Sequence, residues 1–223
     1  MKIITPTFEI LNYTPDMAKT IEIGGRTCYA SCDKITEDSY EDIIPKWMNM
    51  KHNSVLEHSA ITVKFVTDRG VMAELTRHRM ASFSVQSTRY CNYSKDKYNN
   101  EITVLEPYFF TGLNEDGLYN NKYKMWKASC EQAESAYIEL NKNGASAQEA
   151  RSVLPNSLAT EIVMTANPRE WRHVIELRTH RDAHPQIRQI ICPMAKVFAE
   201  KWSVLFGDIG NLDHSHTALE VNV

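Results

Sequence analysis

The irregular order of strand-like and helix-like segments constrains the fold of this chain most. Strand patterns cover residues 2–10, 60–66 and 161–165. Helical patterns cover residues 15–28, 37–51, 70–77, 120–142, 146–154, 168–179 and 186–205. A doubly wound parallel sheet needs strands and helices that alternate regularly. These segments therefore predict an α+β fold, with a mixed or antiparallel sheet and several packed helices.

Local signals fix several boundaries of these segments. Thr14-Pro15 suits the N-cap and first position of a helix, and Asp68 suits the cap of the short helix that follows it. Ser146 and Glu149 have the spacing of a capping box. Residues 82–100 are dominated by Ser, Asn, Lys and Tyr and lack hydrophobic periodicity, which predicts a loop.

Length and charge narrow the class of protein. A chain of 223 residues with 43% hydrophobic and 24% charged residues suits a globular protein, and we expect one domain over residues 1–223. The net charge of −3 argues against a dedicated nucleic-acid binder. The sequence has neither a long apolar run nor a signal-peptide core, so we expect a cytoplasmic protein without a membrane span.

Five cysteines, an odd number without a Cys-x-x-Cys pair, are typical of a reducing compartment. Cys28 and Cys32 are four residues apart, but no second Cys/His pair at zinc spacing accompanies them. We therefore expect ordinary thiols and no structural metal.

Residues 77–90 (Arg-His-Arg-Met-Ala-Ser-Phe-Ser-Val-Gln-Ser-Thr-Arg-Tyr) say most about function. Guanidinium groups match phosphate oxygens bidentately, and each hydroxyl can add a short hydrogen bond. This composition indicates a site for a small, phosphorylated, aromatic ligand. The alternative is a solvated, charged helix end followed by a loop.

The same residues carry a resemblance. Arg77-His78-Arg79, followed eight residues later by Ser87, resembles the signature of the flavin-dependent thymidylate synthases. Residues 52–58 (His-Asn-Ser-Val-Leu-Glu-His) are similar to a second segment of that family. Further matches follow downstream in the family's order and approximate spacing: Ala150 to Pro155, Asn167-Pro168-Arg169 and Leu177-Arg178. The similarity covers roughly residues 50–200.

The resemblance implies an enzyme that moves a one-carbon unit from methylenetetrahydrofolate onto carbon 5 of dUMP. Reduced FAD then completes the methyl group of dTMP, NADPH reduces the flavin again, and no cysteine nucleophile takes part. It also implies a fold like that of thymidylate synthase complementing proteins, and a homotetramer with FAD sites at subunit interfaces. Small molecules, not nucleic acid or membrane, are the expected partners.

The resemblance also assigns residues by matched position. The FAD-binding set is Ser54, Arg77, His78, Arg79, Val85, Asn167, Arg169 and His173. The dUMP-binding set is Glu74, Arg77, Gln86, Ser87, Thr88, Arg89, Arg151 and Arg178. Arg178 is the expected catalytic residue, because a guanidinium beside the uracil stabilises charge that develops on the ring. Without the resemblance, a lone Arg on a late helix reads as a surface ion pair.

The chain departs from the family pattern at two positions. Val85 stands where relatives have Glu, so only backbone contacts are expected there, and Glu74 stands where Gln is common. A carboxylate at position 74 would repel a phosphate unless an Arg pairs with it. Both departures bear on substrate affinity more than on the type of reaction.

Two other functions stay open on the residues alone. The residue types of a metal site occur close together at His180, Asp182 and His184, and a metal site there would indicate a metal-dependent hydrolase. Tyr90, Tyr93 and Tyr98, with Lys95 and Lys97 between them, could stack single-stranded RNA.

Overall fold

The computed structural model describes residues 1–112 and 120–209. Within them lie six strands: β1 (Lys2–Ile4), β2 (Thr7–Tyr13), β3 (Ile61–Asp68), β4 (Ala81–Val85), β5 (Thr103–Leu105) and β6 (Ala159–Ala166). The α-helices are α1 (Met17–Cys28), α2 (Ser39–Asn49), α3 (Arg69–Leu75), α4 (Asn121–Lys142), α5 (Ala147–Ala150), α6 (Pro168–Thr179), α7 (Pro185–Lys201) and α8 (Ser203–Phe206). Short 3₁₀ turns cover residues 32–34, 53–57, 96–98, 108–110 and 151–153.

The strands form two sheets, which confirms the predicted α+β class with an antiparallel sheet and packed helices. Four strands are ordered β2-β3-β6-β4. A smaller sheet pairs β1 with β5 in parallel, with Lys2 opposite Thr103. Alternate residues of β3 are buried, beginning at Ile61, because successive side chains of a strand point to opposite faces.

The described residues form two compact units. The first comprises the described residues of Met1–Thr7, Phe65–Arg77 and Ser84–Ile162, and the second comprises Phe8–Lys64, His78–Phe83 and residues 163–209. Our expectation of a single domain stays a prediction.

The core of the first unit is built around the long helix α4. Its buried residues are Tyr93, Ile102, Val104, Cys130, Tyr137, Ala150 and Leu158. Asn120 caps α4, its side chain accepting a hydrogen bond from the Tyr123 N–H at 3.0 Å. In the same unit, the backbone N–H and hydroxyl of Ser146 both donate to the Glu149 carboxylate. The predicted cap of α5 is thus confirmed.

The second unit is held by helix packing and an aromatic cluster. Helix α6 packs against α7, and the Trp171 ring meets the Phe198 ring edge-on at 5.6 Å. Trp171 also donates to the Ile61 carbonyl at 3.0 Å. Phe198 in turn contacts the rings of Trp202 and Phe206. This packing fixes α6, which carries several of the predicted site residues.

Two adjacent glycines let helix α1 approach its neighbours in the second unit. A Cβ on Gly24 would lie 2.7 Å from the His58 ring, and one on Gly25 would lie 2.3 Å from the Trp47 ring. A side chain at Gly25 would collide with the buried Trp47 ring, whereas one at Gly24 would force the exposed His58 ring to move. The 3₁₀ turn at 53–57 packs against both α1 and α6.

Several predicted boundaries were wrong for identifiable reasons. The strand expected over residues 2–10 is two strands separated at Thr5-Pro6, because proline has no N–H for a ladder. The loop expected over 82–100 contains strand β4 and a 3₁₀ turn. The long closing helix ends at Lys201, after which Trp202 leaves the helical conformation and α8 follows.

The N-terminal end of α1 also differs from its prediction. The helix begins at Met17, and its N-cap is Asp16, in the left-handed conformation, instead of Thr14. The Thr14 hydroxyl pairs with the Ala60 backbone and accepts from its N–H at 3.0 Å. By contrast, Asp68 caps α3 as predicted, accepting from the Val71 N–H at 2.7 Å. No helix in the described segments is both long and apolar enough to cross a membrane.

Candidate active site

The residues matched to the two ligands divide between the two units. The second unit contains Ser54, His78, Arg79, Asn167, Arg169, His173 and Arg178. The first unit contains Glu74, Arg77, Val85, Gln86, Ser87, Thr88, Arg89 and Arg151. Each set is built by different elements.

His78 is the buried centre of the set in the second unit. The residue lies between α3 and β4 and is 3% exposed. Its Nδ1 is 3.0 Å from Glu170 Oε1, and its Nε2 accepts a hydrogen bond from Arg178 Nε at 3.1 Å. The His173 ring meets it edge-on, with 5.4 Å between ring centres. Three residues of α6 therefore surround the central histidine of the Arg-His-Arg segment.

These contacts determine which nitrogen of His78 carries the proton. Arginine Nε can only donate, so His78 Nε2 must be the acceptor and Nδ1 must carry the hydrogen. Nδ1–H then donates to the Glu170 carboxylate. Burial lowers the pKa of His78; the hydrogen bond that His78 donates to Glu170 opposes that effect, and the positive charge of Arg178 adds to the lowering. The ring is therefore neutral at pH 7.

Arg178 gains a defined orientation from this contact. It is half-buried in the last turn of α6, where the helix dipole favours a cation. A hydrogen bond at Nε fixes the plane of a guanidinium, because the whole group is flat. The geometry therefore suits the directed electrostatic role that the sequence predicts for Arg178.

The entry to α6 is tied to the 3₁₀ turn that contains Ser54. Arg169 donates to the Glu57 carboxylate at 2.6 Å, although both side chains are largely exposed. Asn167 is the N-cap of α6, and its side-chain oxygen accepts from the Glu170 N–H at 2.9 Å. That oxygen stabilises the helix, which leaves the amide NH₂ of Asn167 as its remaining polar group.

The flanking cations of the motif differ from His78 in burial. Arg77 follows the end of α3, Arg79 precedes β4, and both are exposed. Ser54 and His173 are exposed as well. This segment therefore presents two guanidinium groups on either side of a buried, hydrogen-bonded imidazole.

A tight turn organises the matched residues of the first unit. The Ser87 carbonyl accepts from the N–H groups of Tyr90 and Cys91, and the Ser87 hydroxyl accepts from the Arg89 N–H at 3.2 Å. Thr88 is buried within the turn. These three N–H groups are used within the turn, and the Ser87 hydroxyl, which accepts one of them, can still donate its own hydrogen to an anionic ligand.

Arg89 connects this turn to α5. Its Nε donates to Gln148 at 3.1 Å, and its guanidinium lies 5.6 Å from the centre of the Tyr90 ring. Arg151 begins the 3₁₀ turn directly after α5 and is exposed. Two of the four arginines predicted to bind dUMP, Arg89 and Arg151, therefore lie on neighbouring segments of one unit.

The three remaining residues of this set have mainly structural contacts. Gln86 donates its backbone N–H to the Glu161 carbonyl, and its side-chain amide donates to Cys91 Sγ at 3.8 Å. Val85 is the last residue of β4. Glu74 is half-buried on α3.

His78, Glu170 and His173 have the ligand types of a metal site, with their ligand atoms within 4.8 Å of one another. Both ring nitrogens of His78 are already hydrogen-bonded, however, and one of them faces a guanidinium. A metal ion would have to displace Arg178 and would be repelled by its charge. The cluster is better described as a hydrogen-bonded chain.

The residues that suggested a metal-dependent hydrolase or RNA stacking have other roles in the structure. His184 is the N-cap of α7 and accepts a hydrogen bond from the Gln186 N–H. His180 Nδ1 lies 3.4 Å from Oδ2 of the exposed Asp182. They do not form a metal-type cluster with a third residue of the described chain. Tyr93 is 5% exposed and packs against Tyr137, so it is not open for base stacking.

Two pockets lie apart from the matched residues. One, of about 390 Å³, is lined in the second unit by residues that include Tyr13, Lys201 and Trp202. The other, of about 720 Å³, is lined in the first unit by residues that include Ile4 and Glu106. Neither contains a residue matched to FAD or dUMP.

Sequence reasoning missed Glu170. The residue stands three positions after Asn167, and a carboxylate at that spacing is typical of a capping box. In the structure its side chain contacts His78 instead, ninety-two residues away in sequence. Helical spacing offers a weak signal, since Glu170 and Arg178 are eight residues apart on one helix and so share a face.

The comparisons with known proteins agree with this description. The profile of the thymidylate synthase complementing protein family matches residues 9–202. A flavin-dependent thymidylate synthase of Geobacter sulfurreducens is 28% identical over 208 residues, covering 90% of this chain and 85% of the relative. A probable flavin-dependent thymidylate synthase of Mycobacterium phage D29 is 30% identical over 204 residues, covering 87% of this chain and 84% of the relative.

Solved structures show the same fold. Thymidylate synthase X from Helicobacter pylori, determined with FAD and dUMP, superposes with a TM-score of 0.74 at 22% identity, over 92% of this chain and 99% of that chain. A UMP/dUMP methylase from Streptomyces cacaoi, bound with 5-Br dUMP, superposes with a TM-score of 0.73 at 24% identity, over 93% of this chain and 96% of that chain.

Proposed function

The chain belongs to the thymidylate synthase complementing protein family, and from that premise we propose how its residues share the work of a flavin-dependent thymidylate synthase. The enzyme converts dUMP to dTMP and uses FAD. The one-carbon donor is methylenetetrahydrofolate and the reductant is NADPH. The resemblance drawn from the Arg-His-Arg segment is thus confirmed at the level of family and reaction.

The matched residues of the second unit fit a ligand that carries phosphates and a flat ring. Arg79 and Arg169 offer exposed guanidinium groups, Ser54 offers a hydroxyl, and His173 offers an exposed imidazole on the same helix as Arg169. We assign Arg77, His78 and Asn167 to the same ligand, and Val85 through its backbone alone. When bound, reduced FAD supplies the hydride that completes the methyl group.

The matched residues of the first unit fit a nucleotide monophosphate. The turn at Ser87 presents a hydroxyl, and Arg89 and Arg151 lie on connected segments. Phosphate monoesters are bound by such combinations of guanidinium and hydroxyl donors. We assign Glu74, Arg77, Gln86, Thr88 and Arg178 to dUMP as well.

One observation carries the assignment of chemistry: Arg178 is hydrogen-bonded to the central histidine of the motif at 3.1 Å. This contact holds the guanidinium in one plane before substrate arrives. A preorganised cation beside uracil stabilises negative charge that grows on the ring as carbon 5 attacks. We therefore propose Arg178 as the catalytic residue, and no cysteine nucleophile.

We propose a homotetramer with FAD sites at subunit interfaces, working in the cytoplasm on small molecules. Support comes from the exposure of Ser54, Arg79, Arg169 and His173 in the protomer. A site completed by another copy of the chain would cover them. The net charge of −3 disfavours nucleic acid as a partner.

Purified protein tests the function directly. We expect a yellow sample with flavin absorbance, or uptake of added FAD at micromolar concentration. Chromatography should then detect dTMP when dUMP, methylenetetrahydrofolate and NADPH are all present. Each cosubstrate is omitted in turn as the control. A colourless protein that takes up no FAD and makes no dTMP would reject the proposal, and bound zinc with hydrolytic activity would favour a metal-dependent hydrolase.

A further inference from the structure

Glu170 is a buried carboxylate that the proposed division of the site does not use. It is 9% exposed and lies in the first turn of α6. Burying a carboxylate is costly unless hydrogen bonds compensate it. The side-chain contact that the structure gives it is His78 Nδ1, at 3.0 Å. Such a placement calls for a reason other than helix capping.

His78 connects Glu170 to Arg178 through opposite edges of one ring. Nδ1–H donates to the carboxylate, and Nε2 accepts from Arg178 Nε. If the proton moved to Nε2, two N–H groups would face each other at 3.1 Å, and the contact with Arg178 would be lost. The carboxylate prevents this, because it accepts a hydrogen bond and cannot donate one when ionised.

We propose that Glu170 is a positioning residue: it holds His78 in the Nδ1–H form, and His78 in that form orients the guanidinium of Arg178 beside the uracil of dUMP, where the guanidinium stabilises the charge that grows on the ring. The inference rests on the proposed function, because Arg178 is the catalytic residue only in that reaction. Glu170 touches neither substrate nor cofactor in this scheme and acts through His78. Partners that fix the state of a functional histidine commonly contribute in this way.

The charged groups around His78 set the sign of the expected pH effect. Glu170, His173 and Arg178 face it from α6, and Arg77 and Arg79 flank it in its own segment. The Glu170 hydrogen bond raises the pKa of His78 against the lowering effect of burial. Removing this carboxylate therefore lowers the pKa of His78 further, so the ring stays neutral, and its preference for Nδ1–H weakens because only the Arg178 donor then favours that form.

The experiment compares Glu170→Gln with Glu176→Gln, an exposed carboxylate on the same helix. At saturating dUMP, Glu170→Gln should lower kcat for dTMP by about 10–100-fold, the loss typical when the partner of a functional histidine is removed. KM for dUMP and FAD content should change little, and Glu176→Gln should match the parent. The acidic limb of the rate profile should move to lower pH in Glu170→Gln alone.

Histidine side-chain ¹⁵N NMR supplies a readout that does not depend on turnover. The parent should show His78 as Nδ1–H at neutral pH, with His78→Asn identifying its signals. Glu170→Gln should show mixed proton positions, and Glu170→Asp serves as a second variant if Glu170→Gln does not fold. His78 found as Nε2–H or charged in the parent overturns the proposal, and so does an unchanged kcat in Glu170→Gln. A parent that makes no dTMP but keeps His78 as Nδ1–H contradicts the proposed function and not the positioning.

Discussion

Replacing Arg178 by Ala should abolish most dTMP formation while FAD binding stays nearly intact. The side chain donates from Nε to buried His78 at 3.1 Å, and its guanidinium is the group that we assign to the uracil. Loss of one preorganised donor of this kind costs on the order of 10²–10³ in rate, about 2.7–4 kcal/mol of transition-state stabilisation. Arg178 is not itself assigned to FAD, although its partner His78 is, so flavin content should fall far less than the rate.

The effect on stability should be smaller than the effect on rate. Arg178→Ala leaves His78 Nε2 without its donor, and an unsatisfied buried acceptor costs about 1–3 kcal/mol. Arg178 is half-buried, so water can reach part of the vacated space, and we expect the lower end of that range. A domain with about 5–15 kcal/mol of stability remains folded after such a loss.

The assay separates the possible causes. dTMP is measured by chromatography at saturating dUMP, FAD by absorbance, and flavin reduction by NADPH under anaerobic conditions. The variant should still let NADPH reduce the flavin, although dUMP should stimulate that step less. Arg178→Lys should rescue poorly, because an ammonium cannot reproduce a planar, two-pronged contact. Arg181→Ala, at a largely exposed arginine three residues away, is the matched control. A near-parent rate of dTMP formation in Arg178→Ala, or loss of FAD instead, would refute the reasoning.

Three further outcomes follow from other contacts. Cys91→Ala should still make dTMP and release tritium from labelled dUMP, and complete loss with FAD bound would indicate a covalent route. Trp171→Phe should lower the free energy of unfolding by about 2–4 kcal/mol in a urea titration, since it removes the indole hydrogen bond to the Ile61 carbonyl and takes volume from the core. Asp208→Asn should cost about 1 kcal/mol or less, because the Asp208 side chain is largely exposed and solvent screens its ion pair with Arg172. Burial raises the pKa of Asp208, but hydrogen bonds from Arg172 bring it below its ordinary 3.8. The parent should therefore lose this contribution as pH falls below about 4, and the variant should not, by thermal melts at several pH values.

Local signals in the sequence predicted those parts of the fold that local chemistry determines. Asp68 caps α3 and Ser146 caps α5 because a cap depends on residues within one helical turn. Strand β4 was missed although Ala-Ser-Phe-Ser-Val alternates throughout, because two serines on its exposed face were read as loop residues. The alternation was the better signal.

The site shows the same division between local and distant information. The Arg-His-Arg segment was identified from its own residues, and its family was confirmed. The protonation state of His78 could not be predicted in this way. It depends on burial and on contacts with Glu170 and Arg178, which lie about a hundred residues away in the sequence. Pairings over such separations depend on how β4 and α6 pack, and no spacing rule expresses that. The individual ligand contacts stay predictions.

The paired glycines of α1 have a consequence for the order of folding. Each glycine costs a helix interior about 1 kcal/mol relative to alanine, so a twelve-residue segment with two of them has little tendency to coil into a helix by itself. Its helical form depends on docking against Trp47 and His58, which require the glycines for their approach. We therefore expect α1 to become ordered only after α2 and the 53–57 turn are in place, and its backbone amides to exchange with deuterium sooner than those of α6.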